Sequence, residues 1–143
     1  MDAKALKEKA KRRGIALEGE GGYSRHILLC VGKSCCSGKD SKDGKETWKY
    51  LNKRLKQLEK AGINVYRTET DCLSLCRNGP LAVVYPEGTW YHSVTPTVCE
   101  QIIETHLIKG EIVTEFAFAR NPLCAIGEAA QACKISNSDG GEE

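Results

Sequence analysis

Two short stretches of this chain set thiols at spacings that suit metal ligation: Cys30-Val31-Gly32-Lys33-Ser34-Cys35-Cys36 and Cys72-Leu73-Ser74-Leu75-Cys76. Together they offer a Cys-x4-Cys pair and a Cys-x3-Cys pair, and four thiolates complete the ligand set of either a 2Fe-2S cluster or a tetrahedral zinc ion. Ligand count alone does not separate the two. Zinc knuckles more often use Cys-x2-Cys, whereas the longer loops here leave room for a pair of irons and their bridging sulfides, so the spacing favours the cluster. Gly32, Gly38 and Gly79 free backbone N–H groups to approach sulfur, a contact that tunes a cluster's potential. Cys35 and Cys36 compete for one ligand position, and the geometry of adjacent side chains does not choose between them.

The remaining thiols and imidazoles read differently. Cys72 and Cys76 lie among Asp71, Ser74, Arg77, Asn78 and Gly79, a polar setting in which buried apolar thiols have no place. Cys30 closes an apolar stretch and alone would read as a small buried hydrophobe; its spacing to Cys35, with Gly32 between them to let the backbone turn, makes it a ligand. Cys99, beside Val98 and near Ile102 and Ile103, reads as core. Cys124 and Cys133 are nine residues apart and would face opposite sides of a helix, so they form no joint site there. Dithiol redox catalysis typically uses Cys-x-x-Cys, which the chain lacks. Gly32-Lys33-Ser34 matches only the end of a phosphate loop, since Ile27 stands where its first glycine is required. His26, His92 and His106 fall outside both cysteine loops, which argues against a His-ligated Rieske centre and leaves them as packed or surface residues.

The elements around these loops explain how they could meet. Residues 26–31 form a continuous apolar run ending at Gly32, the pattern of a strand buried on both faces. Over residues 45–60, Trp48, Leu51, Leu55 and Leu58 recur at helical spacing among Lys, Arg, Glu and Gln, with Gly62 to close the helix. Residues 63–68 alternate as a half-buried strand should. Such a βαβ unit makes its strands parallel and delivers Cys30 and Cys72 to one edge of a sheet. Pro86-Glu87-Gly88 separates two β-rich runs, 81–85 and 89–94, predicting an antiparallel hairpin. Thr95-Pro96 then opens a helix with Val98, Ile102, Ile103 and Leu107 on one face and Gly110 past its end. The order β-α-β-β-β-α predicts an α/β fold, a small mixed sheet with covering helices.

Both ends of the chain fall outside this unit. Residues 1–22 form an N-terminal extension: a helix that stops at Gly14, anchored only by Leu6, Ile15 and Leu17, then a Gly-rich joint before Tyr23. Its basic run 4–13 reads as a solvated helix face rather than a docking element. The core domain spans 23–118. Residues 119–143 form a C-terminal extension, with one further helix expected over 123–134 and a disordered acidic tail over 136–143.

The chain has 143 residues, eight cysteines and a formal charge of +2. Without an apolar leader at Met1-Asp2-Ala3-Lys4, this cysteine content points to a reducing, cytoplasmic compartment and to metal ligation rather than a disulfide framework. The charge balance gives no case for nucleic acid, and charged residues interrupt every apolar run before it could cross a bilayer.

The linked set His26-Ile27-Leu28-Leu29-Cys30, Cys-x4-Cys, Cys72 through Pro80, Val83-Val84-Tyr85-Pro86-Glu87-Gly88-Thr89-Trp90-Tyr91 and His106-Leu107-Ile108-Lys109-Gly110 with Val113 resembles the thioredoxin-like 2Fe-2S ferredoxins. The small cluster-bearing subunit of bacterial NADH dehydrogenase is related to them. The resemblance covers about residues 25–116. It implies a thioredoxin-like fold without the redox dithiol, a 2Fe-2S cluster on Cys30, Cys35, Cys72 and Cys76, and one-electron transfer between soluble redox proteins instead of enzymatic turnover. It selects Cys35 over Cys36 and implies a homodimer. The rival readings are a structural zinc site on the same four thiols, a cluster-bearing interaction subunit of a flavin dehydrogenase, and a cluster-sensing regulatory domain.

Overall fold

The computed structural model describes residues 3–19, 21–32, 42–75 and 79–123. Five strands make one sheet in the order β2-β1-β3-β4-β5. Strands β1 (Arg25–Cys30) and β2 (Val65–Thr70) run parallel, in register from Arg25↔Val65 to Cys30↔Thr70, as the βαβ reading requires. Between them lies α2 (Lys42–Lys60), which buries Leu51, Leu55 and Leu58 and leaves Trp48 packed at the margin. Buried Thr47 donates its hydroxyl to the Val94 carbonyl at 2.7 Å.

Strand β2 starts two residues later than the alternation predicts, because Ile63 is used to end the helix. The Ile63 N–H donates to the Leu58 carbonyl at 2.9 Å and the Gly62 N–H to Glu59 at 3.1 Å, with Gly62 left-handed at φ 91°. This pairing of the last carbonyls is the usual glycine-based helix stop.

The hairpin forms as expected, β3 (Ala82–Tyr85) against β4 (Thr89–Tyr91), and β3 also pairs antiparallel with β1. Thr95 caps α3 (Pro96–Gln101), accepting the Val98 N–H. The helix runs on into a π-helical turn, Ile102–Ile108, whose wider winding buries Ile102, Ile103, His106 and Leu107 together. Helices α2 and α3 cover one face of the sheet, and a single core joins them to Ile27, Leu29, Val65, Ala82, Val84 and Tyr91.

The other face is only partly covered. Alternation along the strands puts His26, Tyr66, Trp90 and His92 there, packed with Tyr23, Phe116 and Phe118 in a layer of rings. Strand β1 is therefore not buried on both faces: Ile27 and Leu29 are enclosed, whereas His26 and Leu28 are half-buried.

A fifth strand, β5 (Ala117–Arg120), pairs with β4 and carries the sheet past the boundary expected at Phe118. At the other end α1 (Lys4–Arg12) buries no residue. Two of its three expected anchors, Leu6 and Leu17, are exposed, and Asn64 ties the segment down by donating to the Gly14 carbonyl at 3.2 Å. Cys124 and Cys133, the helix expected over 123–134 beyond Leu123, and the tail 136–143 lie outside the described residues.

Candidate metal centre

The two cysteine loops leave the sheet at one place. Strand β1 ends on Cys30, opposite Thr70 at the end of β2, and the ladder continues one bond further, from the Val31 N–H to the Thr70 carbonyl at 2.8 Å. Cys72 follows two residues on. Gly32 passes so close to Asp71 that a β-carbon on it would stand 2.0 Å from the Asp71 carbonyl oxygen. The sequence suggested Gly32 for turning, and the chain does bend there; its φ is not left-handed, and the missing side chain also lets the two loop backbones touch.

The Cys30 sulfur is fully buried, packed with Leu81 and Leu73. It accepts a hydrogen bond from the Leu81 N–H at 3.0 Å, while the Cys30 N–H donates to the Leu81 carbonyl, also at 3.0 Å. Leu81 stands just before β3, and its amide serves the sulfur. Cys72 is exposed, and its sulfur accepts the Ser74 N–H at 3.1 Å, an approach that Ser74 makes from a left-handed φ of 72°. Backbone N–H groups aimed at sulfur delocalise charge from a metal–sulfur centre. Two donors of the correct chemistry at one sheet edge, each already bonded by an amide, fit thiolate ligation of a metal or cluster.

The Cys30 sulfur is disulfide-bonded in this structure, and its reduced form is the one that would serve as a ligand. Cys35, Cys36 and Cys76 lie outside the described residues. Among the described residues no three His, Cys, Asp or Glu side chains gather as a metal site, as expected when only two of the four predicted ligands belong to that set.

Cys99 is fully buried in the core, and burial pushes its thiol up to about 12, far from nucleophilic. His26 shares a 2.7 Å hydrogen bond with Thr68, and burial lowers its pKa. His92 bonds Ser93. His106, fully buried, lies 2.7 Å from the Tyr91 hydroxyl through Nδ1 and 3.1 Å from Glu87 through Nε2. Glu87 is paired with Arg25 at 2.8 Å and held below the ordinary carboxylate range by its hydrogen bonds against the opposing effect of burial. A carboxylate only accepts, so Nε2 of His106 carries the proton and Nδ1 accepts from Tyr91, whose oxygen in turn accepts the Val113 N–H at 3.1 Å. Sequence reasoning missed this chain of contacts and the Leu81 donor. Only the proximity of Glu87 to the turn and the lone histidine in an apolar helix hinted at the former.

No protein-family model matches the chain. It is 34% identical over 99 residues to a 2Fe-2S ferredoxin of Clostridium pasteurianum, covering 62% of this chain and 89% of that one. It is 36% identical over 89 residues to a provisionally named 2Fe-2S ferredoxin of Priestia megaterium, of whose length it spans 65%. Among solved structures, a thioredoxin-like 2Fe-2S ferredoxin from Aquifex aeolicus superposes with a TM-score of 0.62 at 25% identity, over 71% of this chain and 96% of that one.

Proposed function

Since the chain belongs to the thioredoxin-like 2Fe-2S ferredoxin family, we propose that it is a one-electron carrier, not an enzyme, whose 2Fe-2S cluster is held by Cys30, Cys35, Cys72 and Cys76. The observation that carries this reading is the meeting of the two cysteine loops at the parallel ends of β1 and β2, with Gly32 against Asp71. Bound there, a 2Fe-2S cluster supplies exchange of single electrons at a potential set by its surroundings. The chain's own part is to hold the sulfurs. Leu81 and Ser74 donate to Cys30 and Cys72, Leu73 and Leu81 exclude water from the Cys30 side, and the exposed Cys72 side admits a partner.

Donor and acceptor are then redox proteins that dock at the loop end, where Leu75 is 50% exposed. Among the described residues no helix is long and apolar enough to cross a membrane, and we place the carrier in the cytoplasm, where thiols stay reduced for cluster assembly. A homodimer is the assembly that the family resemblance implies, checked by light scattering.

Iron and acid-labile sulfide analysis of anaerobically purified protein, with electron paramagnetic resonance after dithionite, tests the assignment. About two irons and two sulfides per chain and a signal only on reduction are expected; colourless zinc-loaded protein overturns it. Cys→Ser substitution at 30, 35, 72 and 76 removes the cluster, whereas Cys36→Ser spares it.

A further inference from the structure

The basic N-terminal run finds no use in electron transfer at the opposite end of the molecule, yet the fold gives it a wall to face. At the start of β2, away from Cys72, a cleft of about 660 Å³ lies between the end of α1, the outer side of α2 and the edge strand. Its lining includes Lys11, Arg12, Arg13, Lys56 and Arg67, opposed by a single carboxylate, Glu59. The wall is built rather than incidental. Arg67 is 17% exposed and held by Asn52 and by Glu59 at 3.1 Å, and Asn64 pins Gly14 so that the end of α1 faces α2. Among the described residues no ion pair engages Lys11, Arg12, Arg13 or Lys56. Four cations brought together around one cavity, with their own repulsion uncompensated, call for a polyvalent anion.

We propose that this cleft binds a polyphosphate-bearing small molecule, with guanidinium and ammonium groups from α1 and α2 closing on its phosphates. The volume falls within the range of about 300–1,000 Å³ typical of small-molecule sites, and the guanidiniums of Arg12, Arg13 and Arg67 match phosphate oxygens in geometry as well as charge. An acidic protein surface is the weaker fit, since a stable protein interface needs more than about 1,000 Å² of complementary area and this site is concave. Nucleic acid is weaker again: Tyr66 lines the cleft, but its ring is stacked on Tyr23 at 4.9 Å, so no aromatic platform is free to take a base. The proposal does not rest on the cluster, because its residues lie at the other end of β2.

The test is titration of the full-length protein with pyrophosphate at low ionic strength, followed by calorimetry and by amide shifts at Gly14, Gly62, Asn64 and Arg67, which lie away from any paramagnetic centre. Saturable binding is expected, with orthophosphate at least tenfold weaker. The double variant Arg12→Glu/Lys56→Glu should weaken pyrophosphate at least tenfold, whereas Lys109→Glu, which carries the same charge change per site outside the cleft, should weaken it less than twofold. Matching visible spectra and urea midpoints for all forms keep the comparison valid. Absence of saturable binding, equal loss in Lys109→Glu and the double variant, shifts confined to other residues, or tighter binding of an oligoglutamate peptide than of pyrophosphate would each overturn the proposal.

Discussion

Replacing Gly32 with alanine should empty the metal centre without unfolding the protein. The added β-carbon would stand 2.0 Å from the Asp71 carbonyl oxygen, 2.8 Å from its carbon and 3.2 Å from its Cα, whereas real contacts of this kind stay beyond 3.0 Å. All three neighbours are backbone, so no rotamer change relieves the overlap, and the loops must separate by about 1 Å. Overpacking of this kind costs about 1–3 kcal/mol, which the core should survive. A metal site tolerates much less, since ligand distances must hold to within about 0.2 Å. Gly62→Ala supplies the control: its β-carbon meets nothing within 4 Å, but its φ of 91° is left-handed, so it should lose about 1–2 kcal/mol for backbone reasons alone. The two variants should therefore show similar falls in urea midpoint, while only Gly32→Ala drops to below roughly half of the wild-type iron and sulfide per chain. Full iron and an unchanged visible spectrum in Gly32→Ala would refute the claim that contact between the loops builds the site.

Other expectations follow from the buried polar groups. Tyr91→Phe leaves the Val113 N–H and His106 Nδ1 without their partner and should cost about 2 kcal/mol in urea unfolding with no change in the cluster spectrum. Cys99→Ala should keep full iron, and Cys99 should resist alkylation in the native protein, because burial holds the thiol un-ionised at neutral pH. Burial lowers the pKa of both His106 and His26 below the ordinary 6.5, so the unfolded chain takes up these protons first as the solution is acidified. Their contribution is complete above about pH 6.5 and is lost below it, with a slope of at most about 1.4 kcal/mol per pH unit for each histidine; thermal melts that stay level from pH 7.5 to 5.5 would contradict this. Glu100, drawn down to about 2 by its hydrogen bonds with Arg54, adds stability above pH 4.5 that is lost as the pH falls toward 2, and Arg54→Met should flatten that second limb.

Much of this architecture was legible because it is written in side-chain periodicity. Leu51, Leu55 and Leu58 predicted α2, and the apolar run through Ile27 and Leu29 predicted β1. What escaped notice depends on backbone atoms or on distant partners. Strand β5 carries Ala117-Phe118-Ala119-Arg120, mostly exposed; its place is fixed by pairing with β4, and no local pattern marks it. The shift of β2 arises because Ile63 looks like a strand residue but serves as a helix stop. Gly32 was found for only part of its role, since a sequence displays glycine without showing that, besides bending the chain, it lies against the Asp71 backbone. The candidate site divides in the same way: the thiol spacing was visible, while the Leu81 amide on the Cys30 sulfur could only be seen once β1 and β3 were paired.

That pairing makes the two ends of the molecule mechanically dependent. Strand β3 is held in register with β1 from Leu29↔Ala82 to His26↔Tyr85, and just beyond Tyr85 the turn is locked by Glu87, bonded to Arg25 before β1 continues and to His106 on the π-helical turn. A slip of one residue would turn Val84 out of the core and bring Val83 into it, and it would carry the Leu81 N–H away from Cys30. The Arg25, Glu87 and His106 contacts hold the turn at one end of β3, and the Leu81 N–H that the sulfur accepts stands at the other. The buried His106 is bonded to that turn through Glu87, while the register of β3 on β1 is what sets the Leu81 N–H against the Cys30 sulfur.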